Sequence, residues 1–473
     1  MSNGCYGYFA GYGETATRSR PGPGSWKRGH APLETGMKKN YAVVTLGCQM
    51  NVHDGERISG VLESAGWREA SLKDADAVIF LTCCVRGSAE RRFYGRLSSL
   101  KPLKDRKGIL IAVGGCLAQK EGLRLLERAP YVDLVFGTQQ YPRIAELLAR
   151  AAEGATCATG MDGLHLDNIP VKRKEDFRAW ITITHGCDNF CSYCVVPFVR
   201  GREASRPAPE ILAEASRQVE GGAREIVLLG QNVNSYRRRE EGASRFVDLL
   251  RQVGSAFPGV WIRFITSHPR DFDESVIRAI ADTPNVCEYV HLPLQSGSDR
   301  ILAAMNRGYT RAAYLRKAES LRSSLKGVVL STDIIVGFPG EREEDFLATL
   351  EMVESCRFDA AFTFIYNPRP GTAAARLPDD VTPEEKHARM ERLLHVTRRL
   401  TAESLRSRVG GEEVVLVEGE SFRDPACWRA RTRGNQVVHF PREEQDIAGK
   451  FARVAITACG SWCLHGRLLE VLG

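Results

Sequence analysis

His185-Gly-Cys187-Asp-Asn-Phe-Cys191-Ser-Tyr-Cys194-Val-Val-Pro197-Phe-Val-Arg-Gly201-Arg-Glu-Ala-Ser205-Arg-Pro207 decides how the rest of the chain is read. Its three cysteines, spaced Cys-x-x-x-Cys-x-x-Cys, follow an apolar run from Trp180 to Thr184. A cubane iron–sulfur cluster has four irons and usually takes four thiolates. Three thiolates from one short loop leave one iron open to a non-protein ligand, which turns an electron relay into a reactive centre. The bland alternative is a structural zinc loop with His185 as fourth ligand. Zinc loops more often use paired Cys-x-x-Cys knuckles well separated in sequence, and His185 sits very close to Cys187. The spacing favours a cluster.

The surrounding chain sets bounds on that chemistry. At 473 residues, 43% apolar and 26% charged, it is long enough for two or three domains with their own cores. A formal charge of +7 and a pI near 8.7 permit a polyanionic partner without requiring one. Fourteen cysteines diluted across a large chain without a secretion signal point to metal binding or catalysis in a reduced, cytoplasmic setting. No 18-residue apolar run occurs, so no membrane span is expected.

Residues 1–37, rich in Gly, Pro, Tyr and Arg, read as a disordered extension, and Met37 is a candidate start. Over 38–152, the apolar runs Tyr41–Leu46, Ala77–Leu81, Ile109–Val113 and Leu134–Phe136 alternate with helical stretches. That alternation predicts a doubly wound parallel sheet, whose ligands sit beyond the carboxyl ends of its strands. A cysteine follows each of the first three runs: Cys48, Cys83 and Cys116. One such thiol would be an ordinary buried cysteine. Three at equivalent places suggest a second metal site, and nearby glycines suit a backbone turning tightly beside it. Cys84 is an alternative to Cys83. Residues 153–178 read as a polar linker.

Residues 179–405 repeat a strand–helix unit six times, with strands at Trp180–Thr184, Glu225–Leu229, Trp261–Ile265, Glu288–Leu292, Gly327–Ile335 and Ala360–Tyr366. An open or partial (β/α) barrel is expected, with chemistry at the carboxyl ends of its strands. Gln231, Asn232, Gln295, Ser296 and Asp333 fall there, and polar side chains gathered at one rim suit a charged, ribose-bearing ligand. Taken singly, Ser-Gly-Ser-Asp299 would only cap a helix and Phe-Pro-Gly340 would only make a turn.

An amphipathic helix is expected from about Thr382 to Arg408. Five strands in the last segment, 406–473, then predict a small β-barrel. Arg429, Arg431 and Arg433 alternate, so they share one strand face and fit phosphate contacts. A solvated sheet face is the bland alternative. Cys5, Cys157, Cys287, Cys356, Cys427, Cys459 and Cys463 have no patterned neighbours and read as bystanders.

The Cys187–Cys194 loop resembles the signature of radical S-adenosylmethionine enzymes. The sequence from Val195 to Pro207 is similar to their methylthiotransferase branch, and within it to the MiaB family, which makes 2-methylthio-N(6)-dimethylallyladenosine in tRNA. Gly47-Cys-Gln-Met-Asn51, Val113-Gly-Gly-Cys116, Leu229-Gly-Gln-Asn-Val-Asn-Ser-Tyr236 and Tyr366-Asn-Pro-Arg-Pro-Gly371 look like further segments of that family in the same order. Leu81-Thr-Cys-Cys84 departs from the family's usual Asn-Thr-Cys-Ser. The last segment resembles the TRAM module, an RNA-binding barrel.

The resemblance implies two 4Fe-4S clusters, one on Cys187, Cys191 and Cys194 and an auxiliary one on Cys48, Cys83 and Cys116. It implies S-adenosylmethionine at the open iron of the first, cleaved to a 5′-deoxyadenosyl radical, with the second cluster presenting sulfur. It also implies a tRNA substrate whose adenosine leaves its stack and a reductant protein; a monomer is expected. Two sister branches, acting on threonylcarbamoyl-adenosine in tRNA or on a ribosomal-protein aspartate, are alternatives within the architecture. A nonenzymatic RNA-binding zinc protein is the alternative from another class.

Overall fold

The computed structural model describes residues 16–17, 39–83, 87–161, 169–237 and 245–472, with backbone alone for 16–17 and 87–92. Cys84 and all of the expected extension except Ala16–Thr17 lie outside them. The chain divides into two units. The first comprises residues up to Lys174 together with Val195–Arg202, and the second Glu175–Cys194 together with Glu203–Gly473.

The first unit is built on a sheet whose named strands are β1 (Asn40–Leu46), β2 (Ala77–Thr82), β3 (Leu110–Gly115), β4 (Leu134–Phe136) and β5 (Thr156–Ala158). They pair in parallel in that spatial order, with Arg68–Glu69 on the outer edge of β1 and Ala16–Thr17 antiparallel on β5. The chain therefore goes outward from β1 to Arg68–Glu69, then reverses across β1 to β2. Both faces are apolar, because side chains alternate across a strand that is buried on each side. Val78, Phe80, Ile111 and Val113 enter one core, while Ile79, Leu81, Ala112 and Phe136 enter the other. β5 lies inside the stretch read as a linker. Thr-Cys-Ala is too short and too polar at its start to register as an apolar run.

In the second unit, β6 (Arg178–Thr182), β7 (Glu225–Leu229) and β8 (Trp261–Ile265) form one parallel sheet. β9 (Tyr289–His291), β10 (Val329–Val336) and β11 (Ala360–Ile365) form another. Ile262 joins the two, donating to Asn285 O at 2.8 Å and accepting from Cys287 N at 2.9 Å. The result is the six-stranded partial barrel. Its outward residues, among them Ala179, Ile181, Ile226, Leu228, Ile262, Phe264 and Val290, pack under the helices in one core. Register then turns Trp180, Val227, Arg263, His291 and Asp333 to the opposite side.

A 24-residue helix, Pro383–Arg406, leads to a closed five-stranded barrel. Its strands are β12 (Glu412–Glu420), β13 (Cys427–Thr432), β14 (Val437–Pro441), β15 (Phe451–Cys459) and β16 (Leu464–Leu472). Thr382 opens the helix with a capping box, its hydroxyl accepting from Glu385 N at 3.2 Å. Val415, Trp428, Ala430, Val438, Phe440 and Val454 fill the barrel.

The arginine stripe along and just past β13 has partners within the chain. Its side chains share one face, and in the folded chain carboxylates already engage that face. Arg431 Nε donates to Glu418 at 2.7 Å, and Arg429 Nε lies 2.9 Å from the same carboxylate. Arg433 pairs with Glu288 at 2.7 Å and donates to Val286 O at 2.7 Å. Alternation fixes which side chains share a face but not what covers it. Here the cover is Glu418 of neighbouring β12, with Glu288 and Val286 at the amino end of the α/β barrel.

Candidate cysteine sites and ligand-binding rim

Strands β1, β2 and β3 end in register, with Leu46 opposite Thr82 and Thr82 opposite Gly115. Cys48, Cys83 and Cys116 follow within two residues, so one sheet edge carries all three thiols. Cys83 and Cys116 are buried, whereas Cys48 is exposed at the start of helix Gln49–Ser64. A hydrogen bond from Cys83, helped by Arg200, draws the Cys48 thiol down to about 6. Arg200 Nε donates to Cys116 Sγ at 3.4 Å, and its Nη2 donates to Asp54 at 2.6 Å. Tyr141 donates to the same Asp54 oxygen at 3.1 Å. Arg200 reaches this site on the short helix Val196–Arg200, which belongs to the first unit although the cysteine loop just before it belongs to the second.

Gly115 is required where it stands. Its φ is +92°, and a Cβ there would lie 2.6 Å from Thr82 O.

In the second unit the other trio sits on the loop after β6. Cys187 and Cys191 are buried and Cys194 is half-buried. Burial pushes the Cys187 thiol up to about 11, so a neutral thiol is favoured until a metal binds. The loop is pinned by residues following helix Asp299–Ala304. Asn306 Nδ2 donates to Phe190 O at 3.0 Å, Ser192 N donates to Met305 O at 3.0 Å, and Arg307 Nη1 donates to Cys191 Sγ at 3.3 Å. Phe190 takes φ +46° within this loop, an uncommon conformation for a residue with a side chain.

No three His, Cys, Asp or Glu among the described residues are arranged around one metal ion. A cubane asks for something different, because each thiolate binds its own iron. A thiol-rich sheet edge and a thiol-rich loop, each with a buried cation on one sulfur, fit that donor set.

The five candidate ligand-binding residues separate. Asn232 is buried with its amide engaged at both ends, donating to Asp271 at 2.6 Å and accepting from His268 N at 3.1 Å. It ties the loops after β7 and β8 together. Ser296 is turned to helix Glu343–Cys356, with Thr349 Oγ1 at 3.3 Å and Ser298 N donating to it at 3.2 Å. Gln295 and Asp333 are neighbours through a backbone bond of 2.8 Å, Gln295 N to Asp333 O. Gln295 has φ +70°, and its Oε1 is buried without a partner. Asp333 is half-buried, 3.5 Å from His291 Nε2. Gln231 is half-buried on the loop after β7.

Sequence reasoning missed other groups on these loops. Thr182 Oγ1, Thr184 Oγ1, both amide atoms of Asn234, Ser267 Oγ and His268 Nε2 are buried without a protein hydrogen bond. All lie at or just past the carboxyl ends of β6, β7 and β8. Such groups are costly unless a polar ligand meets them. Burial, then Arg307 and Arg270, drives His268 down to about 2, so it stays neutral. Thr266 adds a strained φ of +76° on the same loop, rare for a β-branched residue.

Comparison with known proteins agrees with this layout. Residues 181–353 match the radical SAM superfamily, 40–137 match "Uncharacterized protein family UPF0004", and 406–469 match the TRAM domain. A tRNA-2-methylthio-N(6)-dimethylallyladenosine synthase of Carboxydothermus hydrogenoformans is 44% identical over 440 residues, covering 91% of this chain and all of the relative. The Geobacter sulfurreducens protein of the same name is 45% identical over 425 residues, covering 89% of this chain and 95% of the relative. Among solved structures, the radical S-adenosylmethionine methyltransferase TsrM of Kitasatospora setae shares the fold with a TM-score of 0.55 at 15% identity. That likeness covers 72% of this chain and 77% of TsrM. With cysteine loop, barrel, sheet domain and closed C-terminal barrel in one chain, the protein belongs to the tRNA-2-methylthio-N(6)-dimethylallyladenosine synthase family of radical S-adenosylmethionine transferases.

Proposed function

We propose that this protein adds a methylthio group to carbon 2 of N(6)-dimethylallyladenosine beside the anticodon of tRNA. The observation that carries the reading is the Cys187–Cys194 loop at the carboxyl end of a six-stranded barrel whose adjoining loops hold buried polar groups without protein partners. Cys187, Cys191 and Cys194 would hold one 4Fe-4S cluster, and Cys48, Cys83 and Cys116 a second. With S-adenosylmethionine bound, these groups supply the radical, the methyl group and the sulfur.

The chain's own residues position and enclose. Gln295 and Asp333 would face the S-adenosylmethionine, Asn232 and Ser296 would hold the loops that carry them, and Gln231 would line the rim. Neutral His268 would offer a hydrogen bond without a charge. No helix among the described residues is long and apolar enough to cross a membrane. We take the working enzyme to be a cytoplasmic monomer fed by a reductant protein.

The test has two stages. Anaerobically prepared protein should carry about eight irons per chain, falling by about half when either cysteine trio is changed to alanine. A colourless zinc protein would end the proposal. Nucleoside analysis of tRNA from cells lacking the gene should then show N(6)-dimethylallyladenosine without its methylthio group. Loss of methylthio from threonylcarbamoyl-adenosine instead would assign the chain to the sister branch.

A further inference from the structure

Arg307 is 4% exposed, and its contacts are a sulfur, a carbonyl and a phenol. Nη1 donates to Cys191 Sγ at 3.3 Å, Nη2 to Pro293 O at 3.1 Å, and Nε to Tyr309 Oη at 3.2 Å. The Tyr309 ring lies 5.3 Å from the guanidinium carbon. Among the described residues no carboxylate is paired with it.

Five other buried arginines behave differently. Arg178, Arg200, Arg206, Arg263 and Arg389 each meet an aspartate or glutamate. That is the expected rule, since an isolated buried charge is expensive and a carboxylate is the usual remedy. The carbonyl and phenol oxygens take one hydrogen bond each from Arg307 but leave its charge unbalanced. The remaining contact is Cys191 Sγ. A thiol sulfur is a weak acceptor, whereas a metal-bound sulfur is a thiolate and would make a charge-assisted bond with the guanidinium.

We propose that Arg307 is a positioning residue that supplies the counter-charge for the metal cluster held by Cys187, Cys191 and Cys194. The inference rests on the reading that this trio binds a cluster. It has two consequences. A cation hydrogen-bonded to a ligand sulfur raises the reduction potential, because net charge and hydrogen bonds to sulfur are among the levers that set it. It also makes the loaded barrel the electrically balanced form and the empty barrel the strained one. Arg200 is the internal comparison: it donates to Cys116 Sγ at 3.4 Å, but Asp54 already balances it.

The test uses the full-length chain with Cys48, Cys83 and Cys116 changed to alanine, so that a single cluster is read. Arg307→Met and Arg307→Lys are compared with the parent for iron and sulfide content, midpoint potential by electron paramagnetic resonance, and Tm in loaded and metal-stripped forms. Arg307→Met should lower the midpoint potential, and Arg307→Lys should recover most of it. Stripped Arg307→Met should melt at or above the stripped parent, while the loaded variant should lose most of the Tm gain that the cluster confers.

An unchanged midpoint in Arg307→Met, or an equal Tm loss in loaded and stripped forms, would make Arg307 a simple structural pin and overturn the proposal. Should Arg307→Met fail to fold, the midpoint of Arg307→Lys decides: a value far below the parent's overturns it. A parent chain that takes up no iron defeats the cluster reading itself, which is a distinguishable failure.

Discussion

Arg178 and Glu418 are 240 residues apart in sequence, yet Nη2 of one lies 2.6 Å from Oε1 of the other. Glu418 also holds Arg429 and Arg431, while Arg178 reaches Glu175 and Glu225. Arg263 extends the network, donating to Thr432 O at 2.7 Å. The first strand of the α/β barrel and the first strands of the C-terminal barrel are therefore locked by one buried ionic cluster.

Removing one member should be costly. Glu418→Ala leaves three arginines short of their shared carboxylate, and breaking a buried pair costs about 3–5 kcal/mol. The expected outcome in thermal unfolding is a clear fall in Tm together with easier proteolysis in the C-terminal barrel. Lys450→Ala, a change to an exposed cation on the same barrel, should leave both unchanged.

The same cluster sets an acid limit. Burial alone would raise Glu225, but Arg263 and Arg178 outweigh it and hold the carboxyl at about 2. Its folded value lies below the unfolded value of about 4.3, so its contribution is present above the unfolded value and fades as pH falls from about 4 towards 2. Glu225→Gln should lower Tm at neutral pH and flatten the Tm–pH curve within that acid window. Melting across a pH series checks both.

Gln295 and Ser296 are adjacent, but their side chains face different tasks. Gln295→Ala should weaken S-adenosylmethionine binding by about tenfold, the loss of roughly one hydrogen bond, with little change in Tm. Ser296→Ala should do the reverse, because its hydroxyl braces the loop against Thr349. Anaerobic equilibrium binding and melting of both variants separate the two roles.

Gly115 offers a selective lesion. Alanine there must adopt φ +92° with its Cβ 2.6 Å from Thr82 O. Gly115→Ala should therefore displace Cys116 and remove about half of the iron, leaving the Cys187 site loaded. Iron counts with and without the Cys187 trio decide it.

Much of this was legible in local patterning. Strands β7 and β8 fall where their apolar runs place them, and the three sheet-edge cysteines follow paired strand ends as the spacing implied. What escaped was long-range. Arg200 and Arg307 carry no local pattern that marks them as sulfur partners, because their targets lie 84 and 116 residues away. Asn232 and Ser296 occur in polar loops, yet folding commits their hydrogen bonds inward. Period-two alternation put Arg429, Arg431 and Arg433 on one face, but only tertiary packing shows that carboxylates meet it.

The eight residues Val195–Arg202 fold with the first unit although flanking segments belong to the second. A shorter polypeptide ending at Lys174 would lack the guanidinium bonded to Asp54 and Cys116, leaving the buried Asp54 carboxylate without its cation. During synthesis the sheet domain stays unfinished until Arg202 has left the ribosome, by which point the Cys187 loop has already emerged. The segments that complete the two thiol sites are thus made in immediate succession, and the amino-terminal unit cannot be transplanted as one uninterrupted piece.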